Sequence, residues 1–267
     1  QGCAPQALQA ILFSMYAMPP ASCCSCFAVS NGAQVFLARN SDFLLALQHW
    51  NGNVIYRLDG RCFHFTGNTT AFVEIEDGVN EHGLAAGLTS VSPGRIQPGL
   101  NAGMLLRLML ETCRTVEQAL ALARRVPIAS AQTLTLADAG GAIAVLECNS
   151  SRLEVVRPAP GRPFVCATNT FHSPSMRYAC RAGVDDWASE PRYQTMLHTL
   201  QAKAGGMDIP GAMALLAGKE GFLCQYDKRG GRGTVWAAIY DVKCHAVWRA
   251  EGNPARRHFA QDGRFKF

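Results

Sequence analysis

Cys24-Ser25-Cys26-Phe27-Ala28-Val29, then Asn31-Gly32, then Val35-Phe36-Leu37-Ala38-Arg39-Asn40-Ser41-Asp42-Phe43 is the stretch whose reading decides the fold. A run of small residues ending in Cys leads into an apolar, strand-forming segment. Asn-Gly between alternating apolar runs is a two-residue hairpin signal, so the chain is expected to fold back on itself there. Such a hairpin returns Arg39 and Asp42 toward the level of Cys24. A neighbouring guanidinium favours thiolate, so Arg39 is expected to lower the thiol pKa. Asp42 is suited to accept a hydrogen bond from an α-amino group. That amine titrates at roughly 7.7–8.0, so a Cys at a chain start carries its own general base. The same residues also read as a buried Cys on a core strand beside an ion pair, because free Cys behaves as a small hydrophobe.

Composition narrows the classes. At 267 residues and 48% apolar content the chain makes one large domain or two small ones with a substantial core. The formal charge of +5 is spread thinly apart from Lys228–Arg232 and Arg256–Lys266, which argues against a nucleic-acid partner. No run of eighteen apolar residues exists, so no membrane span is expected. The eleven Cys are odd in number and irregularly spaced, and Cys148, Cys166 and Cys244 lie in apolar runs, as reduced core residues do. Cys23-Cys24-Ser25-Cys26 has no second CxxC or HxxxH to complete a metal site, so neither a metal nor another cofactor is expected. The sequence starts at Gln. Ala7–Ala17 is apolar like a signal-peptide core, but no basic segment precedes it, and cytoplasmic and exported readings both stay open.

Along the chain, Pro5–Met18 reads as a helix stopped by Pro19-Pro20, with Pro19–Cys23 as a linker. Strands are expected at Asn53–Leu58, Arg61–Phe65 and Thr70–Ile75, then a turn at Glu76-Asp77-Gly78 leading into Val79–Val91. Helices follow at Asn101–Thr112 and Thr115–Val126, the second with Thr115 as N-cap and Gln118 completing a capping box. Strands at Thr133–Ala137, Ala142–Cys148, Leu153–Arg157 and Phe164–Thr170 precede helices at Ser189–Ala204 and Ile209–Leu216. Thr234–Asp241 and His245–Ala250 close the chain as a hairpin. Strands in antiparallel runs with helices in pairs predict an α+β fold, helices packed on an antiparallel core.

The opening hairpin resembles that of the cysteine N-terminal-nucleophile (Ntn) hydrolases, in which the chain cuts itself before a Cys that then attacks amide bonds. Further blocks match in order. Gly78-Val79-Asn80-Glu81-His82-Gly83-Leu84-Ala85 is similar to a "GxNExGL" segment, and Asp138–Glu147 to a "DxxGxxxvxE" hairpin. Ala167-Thr168-Asn169-Thr170-Phe171-His172-Ser173-Pro174 is similar to a "TNS…P" segment, Ser189–Tyr193 to an "SxxRY" helix start, and Thr234–Asp241 with Gly252-Asn253-Pro254 to a final hairpin ending "GNP". The branch resembled is the acyl-coenzyme A:6-aminopenicillanate acyltransferase-like group, with choloylglycine hydrolases, penicillin V acylase and acid ceramidase as cousins.

The resemblance implies a four-layer αββα sandwich. It implies a propeptide-like helix and linker over 1–23 and a catalytic domain over 24–267. Cys24 is then the nucleophile, with Cys23 the competing candidate one residue away. Cys24 is preferred because Ser25, Cys26 and Phe27 then fall on the family's hydroxyl, small and apolar positions. Arg39 and Asp42 support Cys24, and Asn169 is the expected oxyanion donor, although Asn at a strand end also reads as a turn residue. Two departures matter. Thr89 stands where choloylglycine hydrolases carry a second Asn, and Leu223-Cys224-Gln225-Tyr226 lacks an Arg that the acyltransferase branch carries. Arg229 or Arg232 is a stand-in for it, or a solvated loop residue. His82 and His172 admit a Cys/His alternative. Trp50, Tyr56, Phe63 and Phe65 either wall an acyl pocket or are ordinary core.

The implied function is hydrolysis of a linear, non-peptide amide through a thioester, with a small-molecule N-acyl amide as substrate; a homo-oligomer is compatible with the sequence. Acyl transfer to an amine, or a non-catalytic, unprocessed binding protein, are the alternatives.

Overall fold

The hairpin forms. In the computed structural model, β1 (Cys23–Ser30) pairs antiparallel with β2 (Val35–Leu44), from Cys23 opposite Asp42 to Ser30 opposite Val35. The structure describes residues 2, 4–14, 23–203, 205–226 and 228–267, without the side chains of Phe13 and Lys228. The turn differs from expectation: it has four residues, 31–34, not two. Asn31 closes it from both ends, its Oδ1 accepting from Gln34 N at 2.8 Å and its N donating to Gln34 O at 3.1 Å. Gly32 supplies the left-handed φ of +85° that the bend requires.

Two antiparallel sheets carry the molecule. One runs in sequence order: β3 (Gly52–Tyr56), β4 (Phe65–Thr69), β5 (Asp77–Asn80), β6 (Ala85–Ser90), β7 (Gln132–Ala137), β8 (Ile143–Cys148) and β9 (Leu153–Val156). The other contains β10 (Phe164–Ala167), β11 (Arg232–Asp241), β12 (Ala246–Glu251) and β13 (Ala260–Gln261), in the order β10-β1-β2-β11-β12-β13. Helices α2 (Ala102–Thr112) and α3 (Val116–Ala123) cover the first sheet, and α4 (Ser189–Ala202) and α5 (Ile209–Leu216) the second. The order of layers is αββα.

Three apolar clusters fill the three interfaces. Leu105, Leu106, Met109 and Leu110 of α2 pack on Leu84, Leu88, Leu134 and Leu146. Each such side chain contributes about 1.5–3 kcal/mol by leaving water. Cys26, Ala28 and Leu37 meet Val79, Ala85 and Val145 between the sheets, while Phe27, Phe36 and Ile239 meet Met196, Leu215 and Leu216 under α4 and α5. Alternate residues of β1 therefore serve different layers, as period-two pleating requires.

Helix starts follow local chemistry. Asn101 Oδ1 caps α2 by accepting from Met104 N at 2.9 Å, and Thr115 caps α3 by accepting from Gln118 N. Gln118 reaches back to Arg114 N at 2.7 Å, one residue earlier than a capping box places it. The first helix, α1 (Pro5–Ser14), docks through Asn101 Nδ2, which donates to Leu12 O at 2.7 Å. The rest of its expected span, to Met18, and most of the linker lie outside the described residues.

Two strand expectations and one turn expectation fail locally. Arg61–Phe65 contributes only its last residue to a strand, Thr70–Ile75 is a loop in which Phe72 has φ +57°, and Asp77-Gly78 opens a strand instead of making a turn. Close packing of two glycines explains the last. A Cβ on Gly78 would sit 2.5 Å from Thr66 O and 2.9 Å from Leu110 Cδ1, and one on Gly67 would sit 2.9 Å from Asp77 O. Gly78 marks close approach of backbones, which its sequence neighbours disguise as a turn. Trp50, Tyr56, Phe63 and Phe65 do not wall a shared pocket: Phe65 is core under α2, Tyr56 stacks on it, Phe63 meets His82, and Trp50 is exposed.

Asn80 of the "GxNExGL" block ties β5 to the end of α2. Its Nδ2 donates to Leu110 O at 2.9 Å and Cys113 O at 2.8 Å, and its Oδ1 accepts from His82 N and Leu84 N. Asn80→Ala strands buried backbone groups at each end and is expected to cost about 2–4 kcal/mol, while the pH profile of activity is unchanged. A urea midpoint within experimental error of the parent contradicts this.

Candidate active site

Pleating splits the expected constellation between the two faces of one sheet. Cys24, Cys26, Arg39 and Ser41 face the other sheet; Cys23, Ser25, Asn40 and Asp42 face α4 and α5. The contacts bear the alternation out. Ser41 Oγ donates to Glu76 Oε2 at 3.3 Å on one side, and Asn40 Nδ2 donates to Leu216 O at 2.9 Å on the other. Arg39 and Asp42 are three residues apart and therefore cannot share a face.

On the inner face, Arg39 is fully buried and uses each of its nitrogens. Nε donates to Leu88 O at 2.9 Å, Nη1 to Asp77 Oδ2 at 2.6 Å, and Nη2 to Cys24 Sγ at 2.8 Å and Glu76 Oε2 at 3.2 Å. Asp77 also accepts from Trp236 Nε1 at 2.9 Å, Tyr240 OH at 2.5 Å and Asn68 Nδ2. Glu76 Oε1 accepts from Thr70 N and Oγ1. A buried cation is thus held between two buried carboxylates.

The Cys24 thiol sits against that cation, yet its pKa moves up, to about 12. Burial is the leading cause and outweighs Arg39, with Glu76 and Asp42 adding to it. Arg39 lowers this pKa as expected, but desolvation outweighs it, because the thiol is enclosed with 0% exposure. Burial likewise pushes the Cys23 thiol up, and there the opposing cation is Arg192.

On the helix face, Asp42 accepts from Thr234 Oγ1 at 2.6 Å and Tyr226 OH at 3.0 Å, with Arg192 Nη1 at 3.8 Å. Burial raises its carboxyl pKa against the pull of Arg192, Thr234 and Tyr226. Arg192, from the Ser189–Tyr193 block, is the residue that sequence reasoning passed over. It is fully buried at the start of α4, and its Nη1 donates to Cys24 O at 2.6 Å and Ser25 Oγ at 2.9 Å. Nη2 donates to Asn169 Oδ1 at 2.8 Å and Asp186 O at 2.9 Å, and Nε to Trp187 O at 3.1 Å. The signal was an Arg four residues into an apolar-packed helix, inside a matched block that had been given no role.

Asn169 lies beside the cysteine pair. Its Oδ1 accepts from Cys24 N at 2.9 Å as well as from Arg192, which fixes the orientation of the amide. Nδ2 donates to Ser90 O at 2.8 Å, and Ser90 Oγ lies at 3.5 Å. Thr89 Oγ1 donates to Thr168 O at 2.5 Å and contacts Thr133 Oγ1 at 2.6 Å, so its hydrogen is already committed to bracing the strand before Asn169. Arg232 forms an ion pair with Asp185 at 2.6 Å and lies over the Trp187 ring, and Arg229 is exposed. The arginine in contact with the Cys24 backbone is Arg192. His82 faces Phe63 and Arg114, and His172 stacks on Tyr193 with Glu190 at 3.1 Å, so neither imidazole accompanies the thiols.

Tyr226 and Thr234, the two hydroxyl partners of Asp42, also line a cavity of about 680 Å³. Among the described residues no set of three metal-ligating side chains converges, and no helix is long and apolar enough to cross a membrane.

The family model described as acyl-coenzyme A:6-aminopenicillanic acid acyl-transferase matches residues 29–256. The chain belongs to that family. No curated protein matches it. Among solved structures, it is similar to penicillin V acylase from Agrobacterium tumefaciens at 16% identity and TM-score 0.60, covering 85% of this chain and 82% of that one. It is similar to the Caenorhabditis elegans ortholog of N-acylethanolamine-hydrolyzing acid amidase at 15% identity and TM-score 0.57, covering 82% and 93%. A variant of conjugated bile acid hydrolase from Clostridium perfringens aligns over 91% of this chain and 97% of that one, at 10% identity and TM-score 0.64. At such identities the structures speak for the αββα fold, and the family match speaks for the chemistry: a cysteine-nucleophile enzyme of linear amide bonds within the Ntn superfamily.

A pH-sensitive group lies behind the inner face. Burial raises the Glu74 carboxyl to about 7 from 4.5, opposed by Asn101, whose Nδ2 donates to Glu74 Oε1 at 2.9 Å, and reinforced by Glu76. Folding therefore favours protonated Glu74. Its contribution is complete below pH 4.5 and is lost as pH rises through about 7, a change of at most about 3 kcal/mol. Urea unfolding at pH 5 and pH 8 is expected to show this loss in the parent and a smaller one in Glu74→Gln; equal losses contradict it.

Proposed function

We propose that the protein hydrolyses a linear N-acyl amide through an N-terminal cysteine that it frees by cutting its own chain, and that this residue is Cys23. The observation that carries the choice is the register. Cys23 lies opposite Asp42, whose hydroxyl partners Tyr226 and Thr234 also line the cavity. An amine freed at Cys23 starts beside a carboxylate, whereas Cys24 lies opposite Ser41 with its thiol sealed between the sheets. The boundary expected between residues 23 and 24 then moves to 22 and 23. A second reading keeps Cys24 as nucleophile and is favoured by its 2.8 Å contact with Arg39.

The steps follow from the groups present. The Cys23 thiol adds to the carbonyl of residue 22, the Cys23 nitrogen leaves as an amine, and water hydrolyses the thioester. In turnover, that amine takes the thiol proton and the sulfur attacks the amide carbonyl. The amine then protonates the leaving nitrogen and activates water to release the acyl group. Arg192 supplies positive charge beside the thiol and fixes the following carbonyl. Asn169 Nδ2 has a second N–H, opposite only the 3.5 Å Ser90 Oγ, to offer the oxyanion. Thr89 and Arg232 act as bracing residues and touch no reacting atom.

The family's description as an acyl-transferase favours transfer to an amine as the competing outcome. A chromogenic N-acyl anilide tests both. A burst of aniline followed by free acid supports hydrolysis; release that becomes acyl-amide when an amine is added supports transfer; no release on any amide overturns catalysis.

A further inference from the structure

We infer that the cavity beside Asp42 is a subsite for an anionic group of the substrate, such as a carboxylate, sulfonate or phosphate, recognised by Arg256 and Arg257. This deepens the hydrolase reading and rests on it. Among the described residues, the cavity is lined by Arg232, Arg256 and Arg257 against one carboxylate, Glu251. Glu251 is taken by Arg249, and Arg232 is taken by Asp185, 2.6 Å away. Arg256 and Arg257 are exposed and form no ion pair among the described residues. Two guanidiniums without an ion-pair partner among the described residues thus border a pocket whose lining hydroxyls, Tyr226 and Thr234, bond Asp42.

Their placement is built. Asn253 of the "GNP" block donates from Nδ2 to the carbonyl of Cys224, another lining residue, at 2.9 Å. Its own carbonyl accepts from Arg256 N at 2.9 Å and Arg257 N at 3.0 Å, and its Oδ1 accepts from Ala255 N at 2.9 Å. A single turn therefore fixes the backbone of both arginines beside the cavity. Planar guanidiniums favour oxyanions with paired acceptor oxygens, and a pocket with low-dielectric walls strengthens that preference over the same charges in open solvent.

Three amides of one arylacetyl series test the inference: N-phenylacetylglycine, with the anion on the amine side; N-(4-carboxyphenylacetyl) methylamide, with the anion on the acyl side; and N-phenylacetyl methylamide, which is neutral. At least one anionic amide is expected to exceed the neutral one at least tenfold in kcat/KM, mostly through KM. The ratio is expected to fall with added salt and to collapse in Arg256→Ala/Arg257→Ala. Which anionic amide responds tells which half of the substrate enters the cavity. Equal kcat/KM for all three, or a preference that survives the double substitution, overturns the inference and leaves amide hydrolysis standing. If no amide is cleaved, the hydrolase reading fails instead. Calorimetric titration of the two anionic amides into Cys23→Ala/Cys24→Ala protein then decides the subsite alone, with binding lost in the arginine variant as the supporting result and no binding as the overturning one.

Discussion

Cys23→Ala is expected to yield a folded, uncut chain whose amide turnover falls on the order of ten-thousandfold or more, the scale seen when a covalent nucleophile is removed. Folding survives because the change deletes one sulfur at the strand end, next to Asp42 and Arg192, and leaves the Arg39 cluster whole. Cys24→Ala differs in kind. It removes the sulfur that accepts from Arg39 Nη2 and opens a small void between the sheets, so its first effect falls on stability. The contrast is read by comparing turnover with the urea midpoint in the two variants. A Cys23→Ala protein that is still cut and still turns over transfers the nucleophile to Cys24.

Arg39→Met is expected to be among the most destabilising single changes in the molecule. Arg39, Glu76 and Asp77 are each at most 1% exposed, and the guanidinium lies 2.6 Å from one carboxylate and 3.2 Å from the other. Removing one partner of a buried ion pair costs about 3–5 kcal/mol, because the remaining charge is left without compensation. That is a large share of the roughly 5–15 kcal/mol by which domains are stable. Glu76→Gln introduced alongside Arg39→Met removes part of the stranded charge and is expected to recover part of the loss, which a packing effect alone does not do. Urea unfolding of the parent, single and double variants measures it. A single variant within about 1 kcal/mol of the parent, or a double variant no better than the single, contradicts the account.

The fold was legible because its signals were local and repeated. Asn31-Gly32 between apolar runs, Thr115 and Asn101 as helix caps, and antiparallel strand spacing each point to the arrangement found. The site was legible only as far as chain proximity extends. Arg39 and Asp42 were correctly brought back along β2, but a residue's face depends on pleat parity, and three residues of separation put them on opposite sides. Glu76 and Asp77 were concealed because Glu-Asp-Gly carries turn chemistry, and only the close approach of Gly67 and Gly78 makes a strand of it. Arg192 lies far along the chain from the cysteines, and its burial follows from the docking of α4 on the sheet; its place in the Ser189–Tyr193 block was the one local signal.

The N-terminal residue of the processed chain bears most directly on the central claim. Intact mass under reducing conditions, followed by N-terminal sequencing of the heavy fragment, is predicted to give a fragment beginning at Cys23, with turnover appearing as that fragment accumulates. A fragment beginning at Cys24 or Ser25, or an uncut chain that hydrolyses amides at full rate, contradicts the Cys23 account.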